Sequence, residues 1–559
     1  MPARTKRTRA KTKTRKYIFV VGGVISGVGK GITTSSIGKI LQSRGLTVTA
    51  IKVDPYVNVD AGTMNPTEHG EVFVLEDGDE TDQDMGNYER FLGVTLGRDN
   101  YMTTGRIYQS VIGKERNLEY GGRCVQVVPH IPLEVIARIK RAAEKADADV
   151  TVIEIGGTVG EYENILFLEA ARMMKIECPG DIMVVMVSYL PTPSTVGEMK
   201  TKPTQHAVRA VNAAGIQPDI IVARSNHPLD QKRKEKLAVF CSVRTEDVVS
   251  APDVESIYDV PINFERDKLG DRVLAKLSLK APKPANGMGG WRDFVATTKR
   301  VSKPVNIAVI GKYFDTGDFV ISDSYISVIE AIKYSAYAVG RKPHLTWLSA
   351  VDFEKDPKKL ATLKKYDGII VPGGFGSRGV EGLISAIRYA RERKIPYLGL
   401  CYGMQLMVVE YARNVLGIKE ATTAEISPKA PHTVIDIMPE QKALLAKKDY
   451  GGSMRLGAYE AVLKRGSIVR EAYGKDKVSE RHRHRYEVNP EYISQIENAG
   501  LVFSGKSPNG MLMEFAELPK KAHPFFVGTQ AHPEFQAHPL APHPLFTAFM
   551  QAATKKKGK

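Results

Sequence analysis

The chain has 559 residues, 43% of them hydrophobic, and a formal net charge of +16 at pH 7. This length predicts two or three domains, and no apolar run approaches the roughly 20 residues of a membrane span, so we expect neither a membrane protein nor, without an apolar leader, a secreted one. The four cysteines, Cys124, Cys178, Cys241 and Cys401, are isolated, which excludes a disulfide scaffold and a CxxC zinc site and indicates a reducing compartment.

Most of the positive charge lies in two tails. Residues 1–16 hold eight Lys or Arg and no acid, and the final KKKGK holds four more Lys. We expect residues 1–16 and 554–559 to be disordered. They could contact nucleic acid or an anionic surface, although a solubilising role is the favoured interpretation, and the rest of the chain lacks the aromatic-basic pattern of a nucleic-acid groove.

The first half of the chain alternates short β-rich runs with helical stretches. Strands are predicted at 17–21, 47–53, 150–155, 182–187 and 219–222. This rhythm indicates an α/β domain with a parallel sheet covered on both faces.

A glycine-rich loop, GGVISGVGKG at 22–31, joins the first strand to a helix predicted at 32–44. Its backbone N–H groups and the helix N-terminus suit a phosphate, and Lys30 would reach the terminal phosphates. The loop is one residue longer than a Walker motif, and Gly31 stands where Ser or Thr would bind magnesium. We therefore expect a nucleotide site whose metal is held elsewhere.

Two carboxylates are the candidate metal ligands. Asp84 belongs to the acidic stretch 71–91, and Glu154 ends a predicted strand, where parallel strands face a ligand crevice. Among the acids of 71–91, the residues alone do not single out Asp84 over its neighbours. A second phosphate-binding segment is predicted at 197–206, where Lys200 and Lys202 occupy a turn before Pro203.

The run KAPKPANGMGG at 280–290 has the composition of a linker. A second α/β series follows, with strands predicted at 305–310, 368–371, 396–400 and 525–528. We see no internal repeat.

Two distant segments of this second half predict acyl-transfer chemistry. The apolar run LGLCYGMQ at 398–405 predicts a strand, a sharp turn that presents Cys401, and a helix. His532 and Glu534 would share a face of an extended segment, so thiolate, base and orienting carboxylate form a Cys-His-Glu set. The alternative is a buried small cysteine and an ordinary His-Pro-Glu loop.

Together these motifs resemble the CTP synthase family, glutamine-dependent enzymes that aminate UTP. The resemblance covers 17–553 and is carried by GGVISGVGKG, KVDPY at 52–56, GEVFV at 70–74, EIGGTVG at 154–160, KTKPTQ at 200–205 and ERHRHRYE at 480–487. It implies a P-loop-like amidoligase domain at 17–279, a linker at 280–303 and a doubly wound class I glutamine amidotransferase domain at 304–553.

The resemblance also implies roles for individual residues. The catalytic set would be Cys401, His532 and Glu534, and magnesium would be held by Asp84 and Glu154. ATP would bind to Ser26, Gly27, Val28, Gly29, Lys30, Gly31, Lys52, Asp84 and Asp253. UTP, or inhibitory CTP, would bind to Ser26, Glu161, Tyr162, Glu163, Lys200, Thr201, Lys202, Pro203, Thr204, Gln205 and Lys236. Glutamine would bind to Gly374, Tyr402, Gly403, Met404, Gln405, Glu425 and Arg485. The chain departs from the common pattern at Tyr402, where many members have Leu, and at Glu161–Asn164, where many read Asp-Ile-Glu-Ser.

The implied reaction phosphorylates O4 of UTP with ATP and replaces that phosphate with ammonia freed from glutamine. The family further implies GTP activation, for which residues 375–378 are the candidate loop, CTP inhibition, an enclosed ammonia passage, homotetramers with filaments in some members, and a cytoplasmic location. Two alternatives stay open: another glutamine-fed ligase of the cobyrinic-acid amidase type, and a non-catalytic scaffold.

Overall fold

The computed structural model describes residues 13–65, 69–195, 197–282, 287–312, 315–316, 319–320, 322–438, 441 and 451–555. The chain divides into two compact units. The N-terminal unit comprises Met1–Val59 and Asp99–Gly289, and the C-terminal unit comprises Asp60–Arg98 and Gly290–Lys559.

The N-terminal unit is built on a seven-stranded parallel sheet in the order β5-β2-β6-β1-β7-β8-β9. Its central strand β1 pairs with β6 on one side and β7 on the other, and its side chains are buried. Such continuous apolar strands are typical of a sheet covered on both faces, so the predicted α/β fold is confirmed. The strands are β1 (Lys16–Gly23), β2 (Val48–Asp54), β5 (Tyr101–Thr103), β6 (Val150–Ile155), β7 (Ile182–Tyr189), β8 (Ile220–Ser225) and β9 (Val248–Pro252).

Helices connect these strands. Local signals set their starts: the Asp230 side chain accepts the N–H of Arg233, and the Thr103 side chain accepts that of Arg106, as N-caps do. The helices are α1 (Lys30–Ser43), α3 (Thr104–Arg116), α4 (Val127–Lys145), α5 (Ile165–Glu177), α6 (Lys202–Ala213), α7 (Gln231–Cys241), α8 (Val260–Arg266) and α9 (Leu269–Lys276).

The C-terminal unit contains a nine-stranded sheet in the order β13-β10-β14-β15-β23-β22-β21-β18-β19. The strands from β13 to β23 run parallel, and those from β23 to β19 pair antiparallel. The strands of this sheet are β10 (Pro304–Gly311), β13 (Lys342–Ser349), β14 (Gly368–Val371), β15 (Tyr397–Leu400), β18 (Arg455–Leu463), β19 (Lys477–His484), β21 (Val502–Lys506), β22 (Met513–Glu517) and β23 (Phe526–Thr529).

Smaller elements complete this unit. Its short strands are β3 (Phe73–Val74), β4 (Glu80–Thr81), β11 (Asp315–Thr316), β12 (Phe319–Val320), β16 (Thr422–Thr423), β17 (Thr433–Ile437) and β20 (Tyr486–Val488). Its helices are α2 (Gln83–Leu92), α10 (Gly289–Arg300, which starts at the unit boundary), α11 (Ile326–Ala338), α12 (Ala350–Lys355), α13 (Val380–Glu392), α14 (Tyr402–Asn414), α15 (Ile468–Tyr473), α16 (Pro490–Asn498) and α17 (Pro544–Lys555). Short 3-10 helices in the two units lie at Arg98–Asn100, Thr245–Asp247, Ile257–Asp259, Ser322–Tyr325, Pro357–Lys365 and Pro533–Gln536.

The division of the chain differs from the predicted domains at residues 60–98. This segment, placed in the first domain from sequence, packs with the C-terminal unit. Its helix α2 carries Glu89, which forms a buried ion pair with Arg481, and Phe91, whose ring lies 5.0 Å from that of Trp291. These long-range contacts place the segment in the second core.

The predicted tail and linker also differ from the structure. Lys16 begins β1 and pairs with Asp181 at 2.7 Å, and Lys13 pairs with Asp149 at 2.9 Å, so residues 13–16 are not a free tail. Residues 1–12 and 556–559 lie outside the described residues. The predicted linker 280–303 contains α10, of which Trp291 is buried. Within the described ranges, no helix is long and apolar enough to cross a membrane.

Candidate active site

Cys401 stands at the turn between β15 and α14. Its backbone has φ 48° and ψ −99°, a conformation that costs a non-glycine residue about 1–3 kcal/mol and that the surrounding structure must hold. The first turn of α14 packs closely against the neighbouring strand β14. A Cβ on Gly403 would lie 2.2 Å from the carbonyl oxygen of Val371. The predicted strand, sharp turn and helix are therefore present.

His532 and Glu534 follow β23, the strand beside β15. Leu400 is paired with Thr529, so the two chain segments leave the sheet side by side. His532 Nδ1 lies 2.7 Å from Glu534 Oε1. The prediction of an extended segment is wrong here, because Pro533–Gln536 is a 3-10 turn. The turn still brings the carboxylate within hydrogen-bond distance of the ring.

Electrostatics favour a charged imidazole beside the sulfur. Burial lowers the pKa of His532, but Glu534 and Cys401 raise it by more, to about 10. The ring and the Cys401 side chain line the same pocket. An imidazolium next to a thiol stabilises the thiolate, which is the reactive form.

These three side chains line one pocket together with Gly373, Gly374 and Phe375. A Cβ on Gly373 would lie 2.8 Å from His532 Cε1, so only glycine allows this close approach. The same pocket is lined by residues that the sequence did not identify: Glu71, Val72, Ser324, Tyr325, Arg483 and Phe535. Arg483 belongs to the ERHRHRYE run at 480–487, and this unusual run could have indicated it as a site residue.

Glu71 is the most unusual of these wall residues. Both carboxylate oxygens lie 3.2 Å from the backbone nitrogen of Ser327, and the Ser327 hydroxyl donates to the same carboxylate. Burial raises the pKa of Glu71 to about 7, although Ser327 and Arg90 oppose this shift. The pocket therefore contains a carboxyl group that titrates near neutral pH.

The loop after Gly374 is held by a polar cluster. Tyr402 donates its hydroxyl to the carbonyl of Gly376 at 2.9 Å, and Lys312 Nζ donates to the same oxygen at 2.5 Å. Glu425 accepts the Gly376 N–H at 2.6 Å. Burial lowers the pKa of Lys312 to about 8. Tyr402 and Glu425, both predicted to bind glutamine, thus support the loop, and Lys312 is a participant that the sequence did not reveal.

The other predicted glutamine residues lie on or near α14. Met404 packs against Gly528, and Gln405 donates to the carbonyl of Tyr486 at 3.0 Å. Arg485 donates to Gln441 Oε1 at 2.7 Å and Ser453 Oγ at 3.0 Å.

In the N-terminal unit, the glycine loop lies between β1 and α1 as predicted. Gly27 and Gly29 have φ values of 67° and 92°, which favour glycine. Lys30 Nζ donates to the carbonyl of Gly157 at 2.9 Å. Val28 and Gly31 are buried, and Ser26 is exposed.

Charged residues cluster where β2 and β6 end in this unit. Lys52 Nζ lies 3.0 Å from Glu154 Oε1 and 3.6 Å from Asp54 Oδ1, and all three side chains are buried. A separate pocket joins Gly29 to Asp253, whose carboxylate pairs with Arg224 at 2.9 Å.

Asp84 lies in the C-terminal unit, in the first turn of α2, whereas Glu154 lies in the N-terminal unit. Across the described part of the chain, no group of three or more His, Cys, Asp or Glu side chains is arranged to hold a metal.

The predicted UTP residues are mostly accessible. Tyr162 is 90% exposed, and Glu161 accepts the N–H of Thr158 at 2.7 Å. Lys200 pairs with Glu198 at 2.6 Å. The predicted turn does not extend to Pro203, because helix α6 already begins at Lys202. Pro203 lies in the first turn of this helix, where the backbone N–H that proline lacks would have no partner within the helix. Of the remaining residues in this set, Thr201, Thr204 and Gln205 are buried, and Glu163 and Lys236 are exposed.

Comparisons with known proteins cover both halves of the chain. The family model described as CTP synthase N-terminus matches residues 16–279, and that described as glutamine amidotransferase class-I matches residues 320–552. A CTP synthase of Methanococcoides burtonii is 49% identical to this chain, and the alignment covers 97% of this chain and 98% of that protein. A CTP synthase of Thermococcus kodakarensis is 50% identical, and the alignment covers 97% of this chain and 99% of that protein. The structure of a Trypanosoma brucei CTPS glutaminase domain with bound acivicin is 35% identical, covers 45% of this chain and 94% of that one, and has a TM-score of 0.41.

The Cys-His-Glu pocket and the lysine-bearing glycine loop thus occur in a chain whose sequence is similar to CTP synthases over nearly its full length. The chain belongs to the CTP synthase family of glutamine-hydrolysing ligases.

Proposed function

We propose that this protein converts UTP to CTP, using ATP to activate the uracil ring and glutamine as the nitrogen source. The observation that carries the glutaminase half is that Cys401, held at a strained turn, lines one pocket with His532 and Glu534, whose side chains lie 2.7 Å apart. Family membership over 97% of the chain supports the acceptor and the co-substrate.

In the glutaminase step, the Cys401 thiolate forms an S–C bond to the glutamine side-chain carbonyl carbon. His532, charged at neutral pH, gives its proton to the departing nitrogen as the C–N bond breaks. Backbone N–H groups of the Cys401 turn and of the loop at Gly374 stabilise the oxyanion. Water then attacks the thioester with His532 as the base, and glutamate leaves.

In the synthetase step, ATP phosphorylates O4 of UTP, which turns a poor leaving group into phosphate. Ammonia then adds at C4 and phosphate departs. Lys30 at the glycine loop and Lys52 at the end of β2 are the cations that we assign to the transferred phosphoryl group. Ser26–Gly31 and Asp253 are assigned to ATP, and 161–163, 200–205 and Lys236 to the pyrimidine nucleotide.

Magnesium is the metal that this donor set fits. Glu154 and Asp54 are buried carboxylates on either side of Lys52, and hard oxygen ligands of this kind suit Mg²⁺. We assign Glu154 as one of its ligands, and the ion would supply charge neutralisation on the triphosphates.

Further properties are proposed from family membership. We expect GTP to activate glutamine hydrolysis through the loop 375–378, CTP to inhibit the enzyme, the chains to assemble as homotetramers, and the protein to be cytoplasmic.

The test is an assay of CTP formation from UTP and ATP with either glutamine or ammonia. Cys401→Ala should abolish the glutamine reaction and leave the ammonia reaction, whereas Lys30→Ala should abolish both. Absence of CTP from the wild-type protein with both nitrogen sources would refute the proposed acceptor. Loss of both activities in Cys401→Ala would refute the division of labour.

A further inference from the structure

Gln530 is a buried side chain beside the nucleophile that none of the roles above uses. It follows β23 directly and is 0% exposed. Its Nε2 lies 3.6 Å from Cys401 Sγ, within the range of an N–H to sulfur hydrogen bond. Its backbone N–H donates to the carbonyl of Glu514 at 2.9 Å, which anchors the main chain.

The neighbours of Gln530 fix which end of its amide faces the sulfur. Gln405 Nε2 lies 3.0 Å from the carbonyl oxygen of Tyr486, which can only accept a hydrogen bond. Gln405 must therefore present its NH₂ group there, and that same group lies 3.4 Å from Gln530 Oε1. Gln530 accordingly uses its oxygen toward Gln405 and its NH₂ toward Cys401.

A second polar neighbour of the sulfur, the carbonyl oxygen of Arg483, has the opposite effect. The thiol of Cys401 lies 3.8 Å from the carbonyl oxygen of Arg483, an acceptor that favours the protonated thiol. A donor on the thiolate favours the charged form, and hydrogen bonds to charged groups are about twice as strong as neutral ones. The Gln530 amide is thus placed to offset the Arg483 carbonyl.

We propose that Gln530 is a catalytic residue of the glutaminase, donating a hydrogen bond that stabilises the Cys401 thiolate before attack and again as it leaves the thioester. Gln405 is the positioning residue that orients this donor. The inference rests on the proposed function, since it assumes that Cys401 is the nucleophile.

The test measures thiolate formation directly. Gln530→Met keeps an uncharged side chain of similar length without the donor, and Gln530→Glu places an acceptor against the sulfur. The rate of Cys401 alkylation by iodoacetamide is followed against pH by mass spectrometry of the Cys401 peptide, so that the other three cysteines do not contribute. We expect the midpoint of the alkylation profile to rise by about one pH unit in Gln530→Met, and by more in Gln530→Glu. At pH values below the midpoint, a rise of one unit makes alkylation roughly tenfold slower.

Gln536→Met is the matched control, because Gln536 lies in the same segment but donates to Ser479 instead of Cys401. It should leave the profile unchanged, and hydrogen exchange of the β15 and β23 amides, compared with wild type, reports correct folding in every variant. If the Gln530 variants do not fold, Gln405→Met should still raise the midpoint, since it removes the group that orients the amide. Profiles that coincide with wild type would overturn the assignment even if glutamine turnover falls, whereas retained glutaminase in Cys401→Ala would instead overturn the proposed function.

Discussion

The ion pair between Glu89 and Arg481 should be essential to the structure around His532. The two side chains are 1% and 4% exposed, and the guanidinium donates to both carboxylate oxygens at 2.8 and 3.1 Å. Arg481 also accepts the backbone N–H of His532 at 2.7 Å through its carbonyl oxygen. Weakening this pair should therefore loosen both strand β19 and the catalytic histidine.

The magnitude follows from burial. Glu89→Gln removes the negative charge and turns an NH₂ group toward the guanidinium, which leaves a cation buried without a counter-charge. Breaking a buried pair in this way costs about 3–5 kcal/mol, while an exposed pair is worth about 0.2–1 kcal/mol. Arg388–Glu392 is the exposed comparison, with a 2.7 Å contact and side chains 53% and 46% exposed.

Hydrogen exchange of the β19 amides, read by mass spectrometry, measures the opening free energy locally. In Glu89→Gln exchange should accelerate by about 100-fold or more, since each 1.4 kcal/mol is a factor of ten. Glu392→Gln should change it by less than about fivefold. The double variant Glu89→Leu with Arg481→Met should recover most of the loss, because no unpaired charge remains. Exchange in Glu89→Gln within threefold of wild type, or a double variant as unstable as both single changes combined, would refute this reasoning.

Three further predictions concern the glutaminase pocket. Glu534→Gln should lower the pKa of His532 by at least about one unit, because an opposite charge is lost from a 2.7 Å contact; an unshifted His532 signal in a histidine NMR titration would contradict this. Glu71→Gln should flatten the pH dependence of stability. In wild type, the pKa of Glu71 is about 7 in the folded state against an ordinary 4.5, so the folded state binds more protons between these values. The free energy of unfolding of wild type therefore falls by about 3 kcal/mol as pH rises from 4.5 to 7, and the variant lacks this fall. Denaturant unfolding of both proteins between pH 4.5 and 8 measures it, and parallel curves would refute it. Lys312→Met should raise KM for glutamine and leave ammonia-dependent activity unchanged, because Lys312 holds the carbonyl of Gly376; equal loss with both nitrogen sources would contradict a role confined to this loop.

Local patterns predicted the reactive elements of this protein well. Each of these elements is specified within a few residues. An apolar run and a glycine flank Cys401 and predict its strand and turn, and the glycine loop ending in Lys30 predicts the start of a helix. The parallel strands were readable for the same reason, since continuous burial leaves continuous apolar runs such as those of β1 and β7.

The sequence by itself therefore determined that a sharp cysteine turn and a glycine loop exist, because short-range backbone preferences dictate them. Only the tertiary structure decided what surrounds the sulfur and which core residues 60–98 join. Gln530 contacts Cys401 across 129 positions of the chain, and Glu89 meets Arg481 across 392. Pairings at such separations depend on how sheets and helices pack, and no local pattern encodes them.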